Sequence, residues 1–254
     1  MQRVGLKLGA TCCAAFALLA GAALAGGSKV EFENLILTAN GGFQPRTLPR
    51  QRYAPIDFKG HVDIDAKDGG RPLALQQAVI EFDHDGRLST AGLATCPAER
   101  VADLGRAEAR RVCRGAIVGS GELGFDVSFG STLVPARAGL TIFNAPPVDG
   151  HPAILLHART TTPAVQTYAI LAPIERQRGQ YRYRVTIDVP PIFGGNGSLT
   201  HINATVGRRY SAGGKRRSYV SARCSDNLLR TRGFFLFEGG LIIEGSVEKF
   251  CRQQ

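Results

Sequence analysis

Two glycine-rich stretches offer the first chemistry to test. Gly119-Ser120-Gly121-Glu122-Leu123-Gly124 has the G-x-G-x-x-G spacing of a loop that seats a dinucleotide pyrophosphate on a helix N-terminus. That work needs a helix directly after the loop and an acidic residue about 20 positions on. "FDVSFGS" follows instead, alternating like a strand, so the glycines read as small residues in a strand against which a helix packs closely. The second stretch, "GGNGSLTHI" (194–202), lacks the Lys that a phosphate loop places after its last glycine, and Thr200 stands where the dinucleotide pattern ends in Gly. Alternating "LTHINATV" leaves no helix dipole for an anion. The stretch reads as a corner, with Asn196-Gly197 as its turn pair after Pro190-Pro191.

Metal and acid–base chemistry have weaker signals. Asp63, Asp65 and Asp68 lie near one another, and Asp83-His84-Asp85-Gly86 forms a second knot, but neither sits in a 12-residue calcium loop with a late bidentate Glu. Hairpin turns account for both, and strand alternation sends Asp63 and Asp65 to one outer face. Zinc has neither a close cysteine pair nor a histidine ladder. No G-x-S-x-G is present. The histidines (His61, His84, His151, His157, His201) are scattered; His157 in "ILLHA" is either a buried base or, more commonly at such positions, a core histidine with its bonds met. Glu122 with Asp126, or Glu244 with Glu248, would serve glycoside hydrolysis only if the fold faced them across a cleft. The chain has no Trp, hence no indole platform for a sugar. No residue is assigned as catalytic, cofactor-binding or metal-ligating.

Basic charge is the strongest surface feature. "VGRRYSAGGKRRSYVSARC" (206–224) reads as a hairpin turning at Gly213-Gly214. Ile202, Ala204 and Val206 point inward on one arm, and Val220, Ala222 and Cys224 on the other. This phase leaves Arg209, Arg217, Tyr219 and Arg223 outward, with Lys215 and Arg216 at the tip. Arg208, Arg209, Lys215, Arg216, Arg217 and Arg223 thus form a candidate anion-binding ribbon. A solvated hairpin whose cations discourage edge-to-edge pairing would look the same.

The elements that must position these residues begin after residue 25. Arg3 and Lys7, an apolar run from Leu8 to Leu24, and Ala23-Leu24-Ala25 have the layout of a secretory leader with cleavage after Ala25. The leader holds two of the basic residues and no acid, so the net charge of +10 falls to +8 without it. Two of the six cysteines leave with it. Cys96, Cys113, Cys224 and Cys251 remain, an even set that suits disulfides outside the cytoplasm. Four cysteines allow three connectivities, of which Cys96–Cys113 with Cys224–Cys251 is favoured. The first pair sets a geometric condition. Residues 97–112 are helical in composition, and one straight helix of that length would run about 24 Å, whereas a disulfide spans Cα atoms about 4.4–6.8 Å apart. The segment must therefore fold back, and Leu104-Gly105 is where it would break. Elsewhere, about ten short alternating segments, "YRYRVTIDV" (181–189) the clearest, predict a mainly β protein. Its expected form is a two-sheet β-sandwich or distorted barrel with one short disulfide-stapled helical insert at 97–114. The organisation expected is a leader (1–25), an N-terminal strand "VEFENLIL" with a Pro/Arg-rich arm (26–55), and one β-rich domain (56–254).

"AVIEFDHDGRLSTAGLATC", "CRGAIVGSGELG", "LTIFNAPPVDGHPAILLHA" and "GGNGSLTHINATVGRRYSAGGKRRSYVSARC", in that order, resemble a family of exported, β-rich proteins from high-GC soil actinobacteria. The resemblance spans roughly residues 45–251 and implies secretion and a β-rich fold; it brings no activity, ligand or catalytic residue with it. The expectation is a secreted, non-enzymatic protein of the cell envelope or extracellular space. Its basic hairpin would hold an anionic cell-wall polymer, anionic lipid or extracellular DNA, with no cofactor. Two alternatives are a secreted hydrolase with a carboxylate or His–carboxylate site, and a carrier of an apolar ligand, which would need a large apolar cavity.

Overall fold

The computed structural model describes residues 27–254; the leader expected at 1–25 lies outside the described residues. Twelve strands carry the fold: β1 (Ser28–Phe32), β2 (Leu35–Gln44), β3 (Asp57–Ala66), β4 (Leu75–Asp83), β5 (Ile117–Phe129) and β6 (Thr132–Val148). The remainder are β7 (His151–Thr160), β8 (Gln166–Arg176), β9 (Tyr181–Asp188), β10 (Gly197–Val206), β11 (Leu228–Phe237) and β12 (Ile242–Phe250). They pair in the order β1-β2-β3-β10-β5-β6-β7-β8-β9-β4-β11-β12, antiparallel throughout.

Of the two expected forms, the two-sheet sandwich gives way to one continuous sheet, nearly closed into a barrel. The end strands lie side by side: a Cβ added to Gly245 of β12 would come within 3.0 Å of Ser28 Oγ on β1. No backbone ladder among the described residues joins these two strands. The reason is phase. Apolar alternation keeps the same inward face from strand to strand, and one twisted sheet buries a single face by curling onto itself.

The inner face forms the main core, including Leu37, Ile64, Phe125, Leu140, Ile142, Phe235 and Phe237. A second cluster lies outside the wall. There Val101, Ala109 and Ala116 of the insert cover Phe143, Ala145, Ala153 and Leu155 of β6 and β7. The insert folds back as its disulfide requires, with Cys96 and Cys113 bonded at a Cα separation of 5.6 Å. It is not a single helix: a 3-10 turn (Ala98–Arg100) and helix α1 (Arg106–Val112) are separated by the break ending at Gly105, and a further 3-10 turn spans Arg114–Ala116. The second bridge, Cys224–Cys251, ties the end of β12 to segments that cover one barrel end. A small sheet of Ala54–Pro55, Val220–Ala222 and Gly86–Leu88 completes that cover.

Three local readings change. "VEFENLIL" is two strands, turning at Glu33 with φ 48°. Residues 39–55 are no free arm, since β2 runs through Gln44 and pairs along its length with β3. Gly119 and Gly121 approach the backbone of β10 at Thr205 and Asn203 rather than a helix.

Candidate functional site

The barrel interior holds a cavity of about 270 Å³. Its walls are Ile80, Leu140, Ile154, Ile170, Val185 and Phe235 among others, and no charged side chain of the lining enters it. His61 contributes to the lining, but its ring turns outward to Asp63, 2.7 Å away. The space has a sequence origin. Gly41, Gly60 and Ala204 are neighbours across β2, β3 and β10, so this strip of wall carries almost no side-chain bulk. Gly233 and Gly245, paired across β11 and β12, leave a second thin strip. At one end Phe58 and Phe82 meet edge to face, 5.2 Å between centroids, and separate the lumen from a smaller cavity beneath the disulfide-tied cover.

Outside, the same strands are polar. Glu81 of β4 is fully buried between Arg184 of β9 and Arg232 of β11; each guanidinium donates two hydrogen bonds of 2.6–3.0 Å to one carboxylate oxygen. Burial alone would raise this carboxyl, but the bonds from Arg232 and Arg184 hold it below the usual range. An apolar lumen within a charged wall is the reverse of a barrel immersed in lipid. None of the described helices is long and apolar enough to cross a membrane.

The hairpin forms where expected, Arg209–Ala212 against Lys215–Ser218, with Gly213 and Gly214 both at positive φ in the turn. Its six basic residues have different surroundings. Arg208 donates to the carbonyls of Arg114 and Ile117, tying the barrel to the insert. Arg223 is neutralised by Asp85, Nε to Oδ1 2.6 Å. Lys215 stays exposed at the tip. Arg209, Arg216 and Arg217 line an open cleft of about 590 Å³ with Arg87, Tyr53, Tyr210 and four serines. Arg209 has Asp57 at 3.6 Å; Arg87, Arg216 and Arg217 have no carboxylate partner among the described residues, and Arg217 Nε is buried without an acceptor. Tyr219, expected outward, is instead 1% exposed, and burial pushes its phenol strongly up. Arg87 and Tyr53 escaped the sequence reading because they reach the cleft through the small cover sheet, a non-local pairing.

The hydrolase candidates do not converge. Glu122 pairs with Arg137, and Glu244 and Glu248 lie near Arg232 and Arg230 on the outer wall. His157 is buried beneath the insert, its Nε2 3.1 Å from the Val101 carbonyl, and burial lowers its pKa against that bond. His61 and His201, far apart in sequence, meet on the outer wall at Asp63.

Fold and cavity together define the class: an antiparallel β-barrel with an apolar lumen and a polar exterior. No family model, curated protein or solved structure matches the chain.

Proposed function

We propose that the protein is a non-enzymatic, exported carrier that holds a slender apolar molecule in its barrel. The observation that carries this reading is the apolar lumen of about 270 Å³ into which no charged side chain of the described residues projects. Pockets for drug-sized ligands run about 300–1,000 Å³, so the space suits a small or narrow hydrocarbon. Left empty, such a void costs on the order of 6 kcal/mol at about 24 cal/mol per Å³, which an occupant partly recovers. The seam between β1 and β12, free of backbone ladder, is the part of the wall that opens at least cost. Export is part of this proposal, supported by the leader-like N-terminus and the two disulfides.

Titration with the neutral fluorophore N-phenyl-1-naphthylamine tests it. Saturable 1:1 binding, displaced by a medium-chain alkanol and insensitive to salt, is expected. Absence of saturable binding by protein stripped of co-purifying lipid overturns it.

A second reading is supported by the serine-lined cleft at Arg87, Arg209, Arg216 and Arg217, where Arg209 has Asp57 at 3.6 Å and the other three guanidiniums have no carboxylate partner among the described residues. It would hold phosphate or carboxylate groups of a cell-wall polymer, an anionic lipid or DNA. Binding there weakens steeply with salt and is lost on Arg216→Ala with Arg217→Ala, which separates it from lumen binding.

A further inference from the structure

We propose that His61, Asp63 and His201 form a binding site for a divalent transition-metal ion, zinc foremost, on the outer wall of the barrel. Asp63 and His201 are direct partners across β3 and β10, and His61 lies two residues along the same outward face. The Asp63 carboxylate already faces both rings: Oδ2 is 2.7 Å from His61 Nε2, and Oδ1 is 2.8 Å from His201 Nδ1. All three donor atoms fall within 4.8 Å of one another. Around a tetrahedral zinc with ligands at about 2.0–2.1 Å, donors stand about 3.3 Å apart, so small side-chain rotations bring this set to an ion.

Two local departures from regular strand geometry create the juxtaposition. Regular alternation from inward Leu199 would turn His201 into the lumen. The ladder between β10 and β5 slips between Leu199 and His201, and this bulge rotates His201 outward and Ile202 inward. On the neighbouring strand, residue 124 is Gly, and a Cβ there would come within 2.9 Å of His201 Cβ. A side chain at 124 would push the imidazole off Asp63.

Charge separates this cluster from its competitor. Asp83, His84 and Asp85 also bring three ligand atoms together. Their oxygens, however, are taken: Asp85 accepts from Arg223 and the Ser225 amide, and Asp83 from the Asp85 and Arg230 amides, with a guanidinium on each carboxylate. Among the described residues no guanidinium or ammonium pairs with Asp63, whose ion-pair partners there are the two imidazoles. The three side chains are 39%, 35% and 33% exposed, enough for an ion to keep a water on its open side. Two imidazoles and one carboxylate suit zinc, and also copper, nickel or iron(II). All four described cysteines are in disulfides, so none of them offers a competing thiolate.

The test is calorimetric titration of Zn²⁺ into the untagged, chelator-treated full chain. One site per chain is expected, with affinity reduced at least tenfold by His61→Ala, His201→Ala or Asp63→Asn, and unchanged by His84→Ala. Because a variant could lose fold as well as ligand, wild-type histidine ring resonances are followed by NMR during Co²⁺ addition. Selective broadening of His61 and His201, with His151 and His157 spared, supports the site. Wild-type Zn²⁺ binding no tighter than that of the variants, or broadening that spares His61 and His201, overturns it.

Discussion

Replacing Ala204 by Leu tests whether the lumen is empty space. Ala204 lies in the thinnest part of the wall, with Gly60 and Gly121 as its cross-strand neighbours, and lines the cavity. Leucine adds three carbons. In empty apolar space each is worth about 0.8 kcal/mol, a little over 2 kcal/mol in all. Side-chain entropy takes back about 0.5–1 kcal/mol, leaving a net gain of about 1.5 kcal/mol. In a domain of this size 1 kcal/mol moves Tm by about 2–4 °C, so the midpoint rises by about 3–6 °C. A filled lumen gives the opposite sign, because overpacking costs about 1–3 kcal/mol. Thermal unfolding by circular dichroism on lipid-stripped protein reads that sign. The same leucine occupies room the proposed guest would need, so affinity for N-phenyl-1-naphthylamine is expected to fall at least tenfold. A destabilised variant, or a stabilised one that binds the fluorophore like wild type, refutes the reasoning. Gly60→Ala is the mild companion. Its Cβ would have Phe58 Cε1 as nearest neighbour at 3.6 Å, an ordinary contact, so stability is expected to hold or rise.

Three further outcomes follow from the wall and the bridges. Glu81→Gln strips the shared partner from Arg184 and Arg232; with those guanidiniums 39% and 35% exposed, the expected loss is about 2–3 kcal/mol, below the usual cost of breaking a fully buried pair. Since the Glu81 carboxyl is held below its usual range, its contribution is complete above the unfolded value near 4.5 and lost as pH falls through the lower folded value; a Tm–pH profile of the variant should flatten there. His157 is held below its ordinary 6.5 by burial, so the unfolded chain takes up the proton first and stability erodes as pH drops through about 6.5; His157→Phe should reduce that slope in chemical unfolding just below about pH 6.5. Cys224→Ser with Cys251→Ser opens a loop of sequence separation 27, worth about 3.5 kcal/mol, and hydrogen exchange should rise first in the cover at 45–56 and 220–227.

What was legible in the sequence was local. Alternation marked the strands, Gly213-Gly214 marked the hairpin turn, and the length of 97–112 required a break if Cys96 and Cys113 were to bond. Closure was not legible, because it is the accumulated twist of twelve strands rather than a property of any one. Strand order was equally hidden: β10 enters between β3 and β5, which places His201 beside Asp63 and Ala204 beside Gly60. Bulges interrupt the period of two at two points, the first against the expected alternation and the second in keeping with inward Ile202, Ala204 and Val206. One, between Tyr181 and Tyr183, takes Tyr181 off the inward row and sets it beneath Arg232, 4.8 Å from guanidinium to ring. The other turns His201 outward. The H-x-D of His61 and Asp63 was the available signal for the outer cluster, since alternation puts both on one face.

The pairing of β3 with β10 makes the lumen and the outer cluster two faces of one piece of backbone. Phe58, Gly60 and Val62 face the cavity while His61 and Asp63 face solvent; Ile202, Ala204 and Val206 do so while His201 and Asn203 turn away. The inward side gains its space by omitting side chains, which also removes the packing that would stiffen these strands. The outward side crosslinks them through Asp63, whose two oxygens hold one imidazole from each strand. A thin wall therefore carries its bracing on the face away from the lumen. Breaking that brace with His201→Ala should loosen the strip around Gly60 and Ala204 first, raising amide exchange at 58–62 and 202–206 while β6 and β7, backed by the insert, stay protected. Uniform exchange across both pairs of strands would mean that the ladders alone hold the wall, and that the outer cluster adds nothing to the rigidity of the lumen.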